Sequence, residues 1–322
     1  MAVGLTAITA ITAHAARHAR LVLILGLVAG ATFPSLALAM RPWIGEMVAG
    51  LLFLAALRVG PKQAIGALGD IGAALGLAGV LQVGMPLAAI AVFALLGWAG
   101  SALPTFFVLL FAAAPVTGSP HFISMTGNDP APALRQLVLG TALLPLTVVP
   151  VFWLTPAFGD PRHVLAAAGG LMLLIGLAAG LAFVIRATAM KEPSVEMIRS
   201  IDGVSAIAMA IVVIGLMSAV GPALRERPLD FLAILGLVCL ANFAIQAVVA
   251  SIARMAGWDV WSAALGVVAA NRNVALFLTV LPQQTVDPIL LFIGCYQIPM
   301  YLTPAVMGRF YRSRWPSAGD SR

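Results

Sequence analysis

Two short polar interruptions break an otherwise apolar chain: Pro115-Val116-Thr117-Gly118-Ser119-Pro120-His121 and Asn271-Arg272-Asn273. Proline lacks an N–H and clashes with the preceding turn, so two prolines five residues apart unwind a helix locally. Freed backbone N–H groups beside the positive end of the following half-helix suit an anion. A packing kink, with His121 hydrogen-bonded to a neighbouring span, is the plainer reading of the same residues. Arg272 is sharper. An arginine deep in a bilayer costs about 2.5–3.5 kcal/mol on insertion scales, so it faces a partner or a watery cavity. The plainer reading pairs it with a carboxylate, and Glu46 and Asp70, near the ends of spans, are the acids in reach. The binding candidates are therefore Thr117, Gly118, Ser119, His121, Asn271, Arg272 and Asn273, with Gln297 as a further contact.

A second intramembrane arginine, Arg135, lies about one turn inside its span and is short enough of the interface to snorkel. Gln82, Tyr296 and Gln297 are lone polar groups on apolar backgrounds; they read as interhelical hydrogen bonds or as contacts at the depth of the two breaks. No metal constellation is spaced along the chain, and none of the four histidines sits with Cys, Asp or Glu at ligand spacing. Ser119 and His121, two residues apart around a proline, make a poor nucleophile and base. There is no Walker loop to bind ATP.

The elements that position these residues are membrane helices. Of 322 residues, 61% are hydrophobic and 9% charged, against about 25% charged in soluble domains. A mean hydropathy of +1.04 excludes a soluble enzyme and a nucleic-acid binder, and the absence of polar–apolar alternation excludes an outer-membrane barrel. The fold class expected is all-α and polytopic. Ten spans are expected, near 21–40, 43–58, 70–97, 103–126, 133–156, 164–187, 203–222, 229–254, 260–282 and 286–309. The run at 21–40 is longer than a signal-peptide core, so it reads as a retained span. Twelve Lys and Arg fall on the side of both termini and four on the other, which places both termini in the cytoplasm. The Ala-, Gly- and Leu-rich composition points to a bacterial inner membrane. Cys239 and Cys295 lie in apolar stretches and suggest no disulfide framework.

The polar stretch 188–202 reads as a linker or surface helix. It divides the chain into 1–188, which holds five spans of a first repeat and the opening span of a second, and 189–322. Repeats of five spans enter the membrane in opposite orientations, the arrangement of inverted-repeat transporters. The interruptions in spans 4 and 9 then occupy matching positions, about 153 residues apart, and paired broken helices point to a midplane binding site.

These residues resemble the bile acid:sodium symporter family, within the bile/arsenite/riboflavin transporter superfamily. Ala114-Pro115-Val116-Thr117-Gly118-Ser119-Pro120-His121-Phe122-Ile123-Ser124 is similar to the family's Pro-Gly-Gly-x-x-Ser-Asn-x-x-Thr crossover motif. Ala270-Asn271-Arg272-Asn273-Val274-Ala275-Leu276 is similar to its Glu-x-Gly-x-Gln-Asn-x-x-Leu-Ala motif, and Gln82 before Met85-Pro86 to a third-span glutamine before Met-Pro. The resemblance implies a core domain (about 70–156 and 229–309) moving against a panel domain (about 21–58 and 164–222), with substrate bound in the cleft beside the crossing helices. It also places Gln82, Ser124, Arg135, Val268 and Arg272 at or near the family's sodium sites.

Several of these positions depart from the family. Val268 stands where the family has the glutamate shared by both sodium sites, Arg272 replaces a glutamine, and Arg135 falls near a serine ligand. Sodium wants oxygen ligands, and a guanidinium brings donors only. The expectation is a secondary transporter moving a small organic anion by alternating access, with arginine charge in place of sodium. A sodium-coupled symporter with relocated ligands is the alternative within transport, and an intramembrane enzyme or ligand sensor is the alternative outside it. No cofactor is expected, sodium being left open. The expected partners are the anion and the lipid bilayer, without nucleic acid.

Overall fold

The computed structural model describes residues 11–66, 71–158 and 160–314. Asp70 and Arg322 lie outside them. The protein is an all-α, multi-pass membrane protein, and no β-strand occurs among the described residues. Seven described helices are long and apolar enough to cross a bilayer, or eight if Ile11–Arg17 and Leu21–Thr32, bent by 89°, count as one span.

In chain order the first helices are α1 (Ala19–Thr32), α2 (Pro34–Met40), α3 (Ile44–Gly66), α4 (Ile71–Gly79) and α5 (Met85–Leu95). Next come α6 (Ala102–Ala112), α7 (Ser119–Met125), α8 (Ala131–Trp153), α9 (Pro161–Thr188) and α10 (Val195–Leu216). The last are α11 (Val220–Glu226), α12 (Pro228–Met255), α13 (Asp259–Ala270), α14 (Gln283–Val286) and α15 (Leu290–Arg314). The chain divides into two compact units, Met1–Ile65 with Leu173–Phe231 and Gly66–Met172 with Leu232–Arg322.

In the first unit α1 lies along α10, and small residues let the backbones approach. A Cβ on Gly26 would meet the Ala210 carbonyl at 2.7 Å, and one on Gly30 the Ile214 carbonyl at 2.9 Å. These contacts advance together along both helices, so the pair is parallel. Gly26 and Gly30 form the Gly-x-x-x-Gly spacing that packs membrane helices through their backbones.

The boundaries near the N-terminus differ from the expected spans 21–40 and 43–58. The break falls at Phe33 (φ −113°, ψ 74°) because the residue before a proline is pushed out of the helical region, and Pro34 opens α2. Arg41-Pro42, at the boundary between those two expected spans, joins α2 to α3 through the 3₁₀ turn Arg41–Trp43, since a proline at the start of a turn loses no helical bond. The polar stretch 188–202, expected as a linker or a surface helix, is helix from Val195 onward. Ser194 caps α10, its Oγ accepting from the Met197 N–H at 3.2 Å, so Glu196, Arg199 and Asp202 lie on helix. Asp202 pairs there with Arg58 on α3, beside a small cluster of Leu57, Ala182 and Ile201.

In the second unit three of the expected spans are interrupted. The third is α4 and α5 joined by a π turn, Val80–Gly84. The fourth divides into α6 and α7, and the ninth into α13 and a 3₁₀ turn, Val274–Thr279. Around these short pieces α8 and α15 run as long helices, each with two internal prolines.

Candidate functional site

The two breaks cross each other. Pro115 and Arg272 form an antiparallel bridge, in which the Val116 N–H donates to the Asn271 carbonyl (2.9 Å) and the Asn273 N–H to the Ala114 carbonyl (2.8 Å). Unwound backbone inside a membrane protein must find internal partners, and here each break supplies them to the other. Ser119 starts α7 with its N–H on the Val116 carbonyl at 2.9 Å.

Arg272 is 1% exposed and belongs to this crossing. Its Nε donates to the Ala269 carbonyl (3.0 Å), Nη1 to Ala113 (3.0 Å) and Nη2 to Leu81 (3.3 Å). The reason these three oxygens are available is local. Across the π turn the Met85 N–H donates to Val80, five residues back, which leaves the Leu81 carbonyl without its helical donor. The Asn273 N–H, which a continued α13 would give to Ala269, goes to Ala114 instead. Ala113 ends α6, where no further turn follows to cover its carbonyl. The guanidinium thus closes the C-terminal ends of two half-helices and one bulge. Its side-chain bonds go to backbone oxygens, and among the described residues, which include Glu46 but not Asp70, no ion pair includes it.

Tyr296 from α15 holds the same corner. Its hydroxyl accepts the Arg272 N–H and donates to the Ala270 carbonyl, both at 2.6 Å. Asn271, fully buried, accepts at Oδ1 from Asn242 Nδ2 (3.1 Å) and from Thr303 (3.3 Å). Gln246 Nε2 reaches Asn242 Oδ1 (2.7 Å) and Thr303 Oγ1 (3.0 Å), and the Tyr311 hydroxyl donates to Gln246 Oε1 (3.2 Å). This network ties the second break to α12 and α15. Asn242, Gln246, Thr303 and Tyr311 were not among the sequence candidates. Two amides one turn apart on an apolar helix, Asn242 and Gln246, were the legible signal.

The remaining candidates fall in different places. Gln82 is buried in the π turn, where its Nε2 bonds the Gly140 carbonyl of α8 at 2.9 Å and its Oε1 has no partner among the described residues. Ser119 is fully buried, and neither its Oγ nor Asn271 Nδ2 has a hydrogen-bond partner among the described residues. Thr117, Gly118 and Asn273 are half-buried at the crossing. His121 is exposed on α7, as is Ser124, whose hydroxyl returns to Pro120 at 3.1 Å. Val268 is fully buried in α13. Gln297 bonds its own helix, at the Ile293 carbonyl (3.1 Å). Arg135 stands apart from Arg272: its guanidinium lies 5.2 Å from the centre of the Trp261 ring, at the opposite end of α13. Nine residues of helix, about 13 Å, separate Trp261 from Ala270.

No protein-family model matches the chain, and no curated protein is significantly similar to it.

Proposed function

We propose that the protein is a ten-span secondary transporter of a bacterial inner membrane, with both termini cytoplasmic. It carries a small organic anion by alternating access and does not use sodium as its coupling ion. The observation behind this reading is the crossing of two interrupted apolar helices at Pro115 and Arg272, with polar groups buried around it. Interrupted helices whose backbones meet inside the membrane region are the construction that transporters use for a midplane site. The five-plus-five repeat and the likeness to the bile acid:sodium symporter family belong to the same proposal.

Three features support an anion and argue against sodium. Arg272 brings positive charge to the crossing with no carboxylate of the described residues bonded to it, and Val268 is an apolar side chain buried one turn away. Two buried donors, Ser119 Oγ–H and the Asn271 amide, have no acceptor among the described residues, and an anion supplies acceptors only. Substrate would sit beside Thr117, Gly118, Ser119 and Asn273. Arg272 itself is engaged by carbonyls, so its part is to set the potential there rather than to clamp the ligand.

Counterflow in liposomes tests the reading, with pyruvate, succinate and taurocholate as labelled probes and potassium or choline as the only cation. Exchange of at least one anion without sodium is the expected result. The companion measurement is thermal stability in NaCl, KCl and choline chloride, where wild-type protein should give three equal curves. A saturable rise in sodium alone overturns the sodium-independent reading in favour of a symporter with relocated ligands.

A further inference from the structure

In the first unit one guanidinium is left without an acceptor. Arg186 stands in the last turn of α9, and no hydrogen bond or ion pair of its side chain occurs among the described residues. Its Nε and Nη1 are closed off from solvent as well. An arginine that snorkels past the end of a membrane helix keeps its head in water, and this one does not. It folds onto Gly60 of α3, where the absent side chain makes room: Nη2 lies 2.6 Å and Nε 2.7 Å from the place a Cβ would take. Drying a guanidinium without giving it an acceptor is costly, so the position calls for an anion.

The acids nearby do not supply it. Asp202 is already held by Arg58, and Glu192 and Glu196 are exposed. Segments 53–66 and 182–202, which meet around Leu57, Ala182 and Ile201, carry five basic residues and three acidic ones. An anion from outside the chain therefore finds net positive charge here. Leaving Gly60 to meet it costs the guanidinium no hydrogen bond, because it makes none, and the side chain is only half-buried. Arg186 also lies two residues from the end of the apolar span Pro161–Thr188, which puts it at the level of lipid headgroups. Basic positions between helices at that level hold anionic headgroups, and the planar fork of a guanidinium matches two oxygens of a phosphate. A zwitterionic headgroup brings its own cation to that phosphate, and free phosphate has no acyl chains to anchor it beside apolar helices.

We propose that Arg186, resting on the glycine kink of α3, is a binding site for an anionic phospholipid, whose phosphodiester takes the guanidinium fork that the described residues leave unpaired. The site is independent of what the protein transports.

The test is thermal stability of full-length protein in detergent, with dioleoylphosphatidylglycerol, dioleoylphosphatidylcholine or potassium phosphate added at constant ionic strength. Phosphatidylglycerol should raise the Tm of wild type saturably by about 3 °C, while phosphatidylcholine and phosphate leave it flat. R186Q should need about tenfold more phosphatidylglycerol for the half-maximal rise, since it loses a charge-assisted bond. K191Q removes the same charge from the exposed stretch that follows α9 and should keep the wild-type midpoint. The proposal is overturned if wild type responds equally to both lipids, if phosphate reproduces the phosphatidylglycerol rise, or if K191Q weakens the response as much as R186Q. The second of these outcomes assigns the position to a free phosphate ion, and the third to diffuse surface attraction. Should R186Q yield no folded protein, R186K decides, because lysine keeps the charge and loses the fork. A weaker response of R186K to phosphatidylglycerol supports the proposal, and an unchanged one overturns it.

Discussion

Arg272 and Tyr296 together satisfy the backbone where α13 stops. The tyrosine hydroxyl accepts the Arg272 N–H and shares the Ala270 carbonyl with Asn242. Removing it leaves a buried donor unpaired, which costs about 1–3 kcal/mol. Tyr296→Phe should therefore lower the melting temperature by several degrees while leaving the helix content by circular dichroism unchanged. An equal or higher Tm would show that the hydroxyl is not holding the crossing. Asn242→Leu makes a second case at the same scale. It removes the donor to Asn271 Oδ1 and the acceptor of Gln246, both buried, so the expected loss is at least as large as for Tyr296→Phe.

At the scale of elements, glycines mark where helices bend or press together. Gly60 interrupts α3 with φ 69° and ψ 164°, a conformation open to glycine alone, and the Arg186 guanidinium lies where a Cβ would go. Gly60→Ala should destabilise the protein by about 1–3 kcal/mol, read as a lower Tm. In the second unit a Cβ on Gly266 of α13 would stand 2.7 Å from the Gln246 carbonyl and 2.7 Å from the Tyr311 hydroxyl. Gly266→Val forces α13 away from α12 and α15 and should cost about 1–3 kcal/mol, again measured by thermal melting. Gly50→Ala is the control: among the described residues no neighbouring atom lies within 4 Å of its added methyl, and its Tm should stay within about a degree of wild type.

At the scale of the molecule, the proposed topology makes a separate prediction. Fluorescent-protein fusions at either terminus should be fluorescent, and alkaline phosphatase fused after Asp160 should be active, because Lys and Arg concentrate on the side of the termini. Inactive phosphatase at that position would reverse the assignment.

Composition by itself determined that the chain is helical and membrane-embedded, because apolar length and scarce charge have no other stable solution in lipid. Proline and arginine placement likewise marked 115–121 and 271–273 as interruptions, since each is costly in a continuous apolar helix. Span ends at Phe33 and around Ser194 were less legible, since caps and pre-proline geometry shift boundaries that hydropathy averages over. Tertiary structure alone decided that the breaks join backbone to backbone. It also decided that the Arg272 guanidinium bonds backbone carbonyls, and that Arg135 belongs with Trp261. The physical reason is that a backbone carbonyl has no sequence signature. Whether one is free depends on which N–H the fold has diverted, as the π turn diverts Met85 from Leu81.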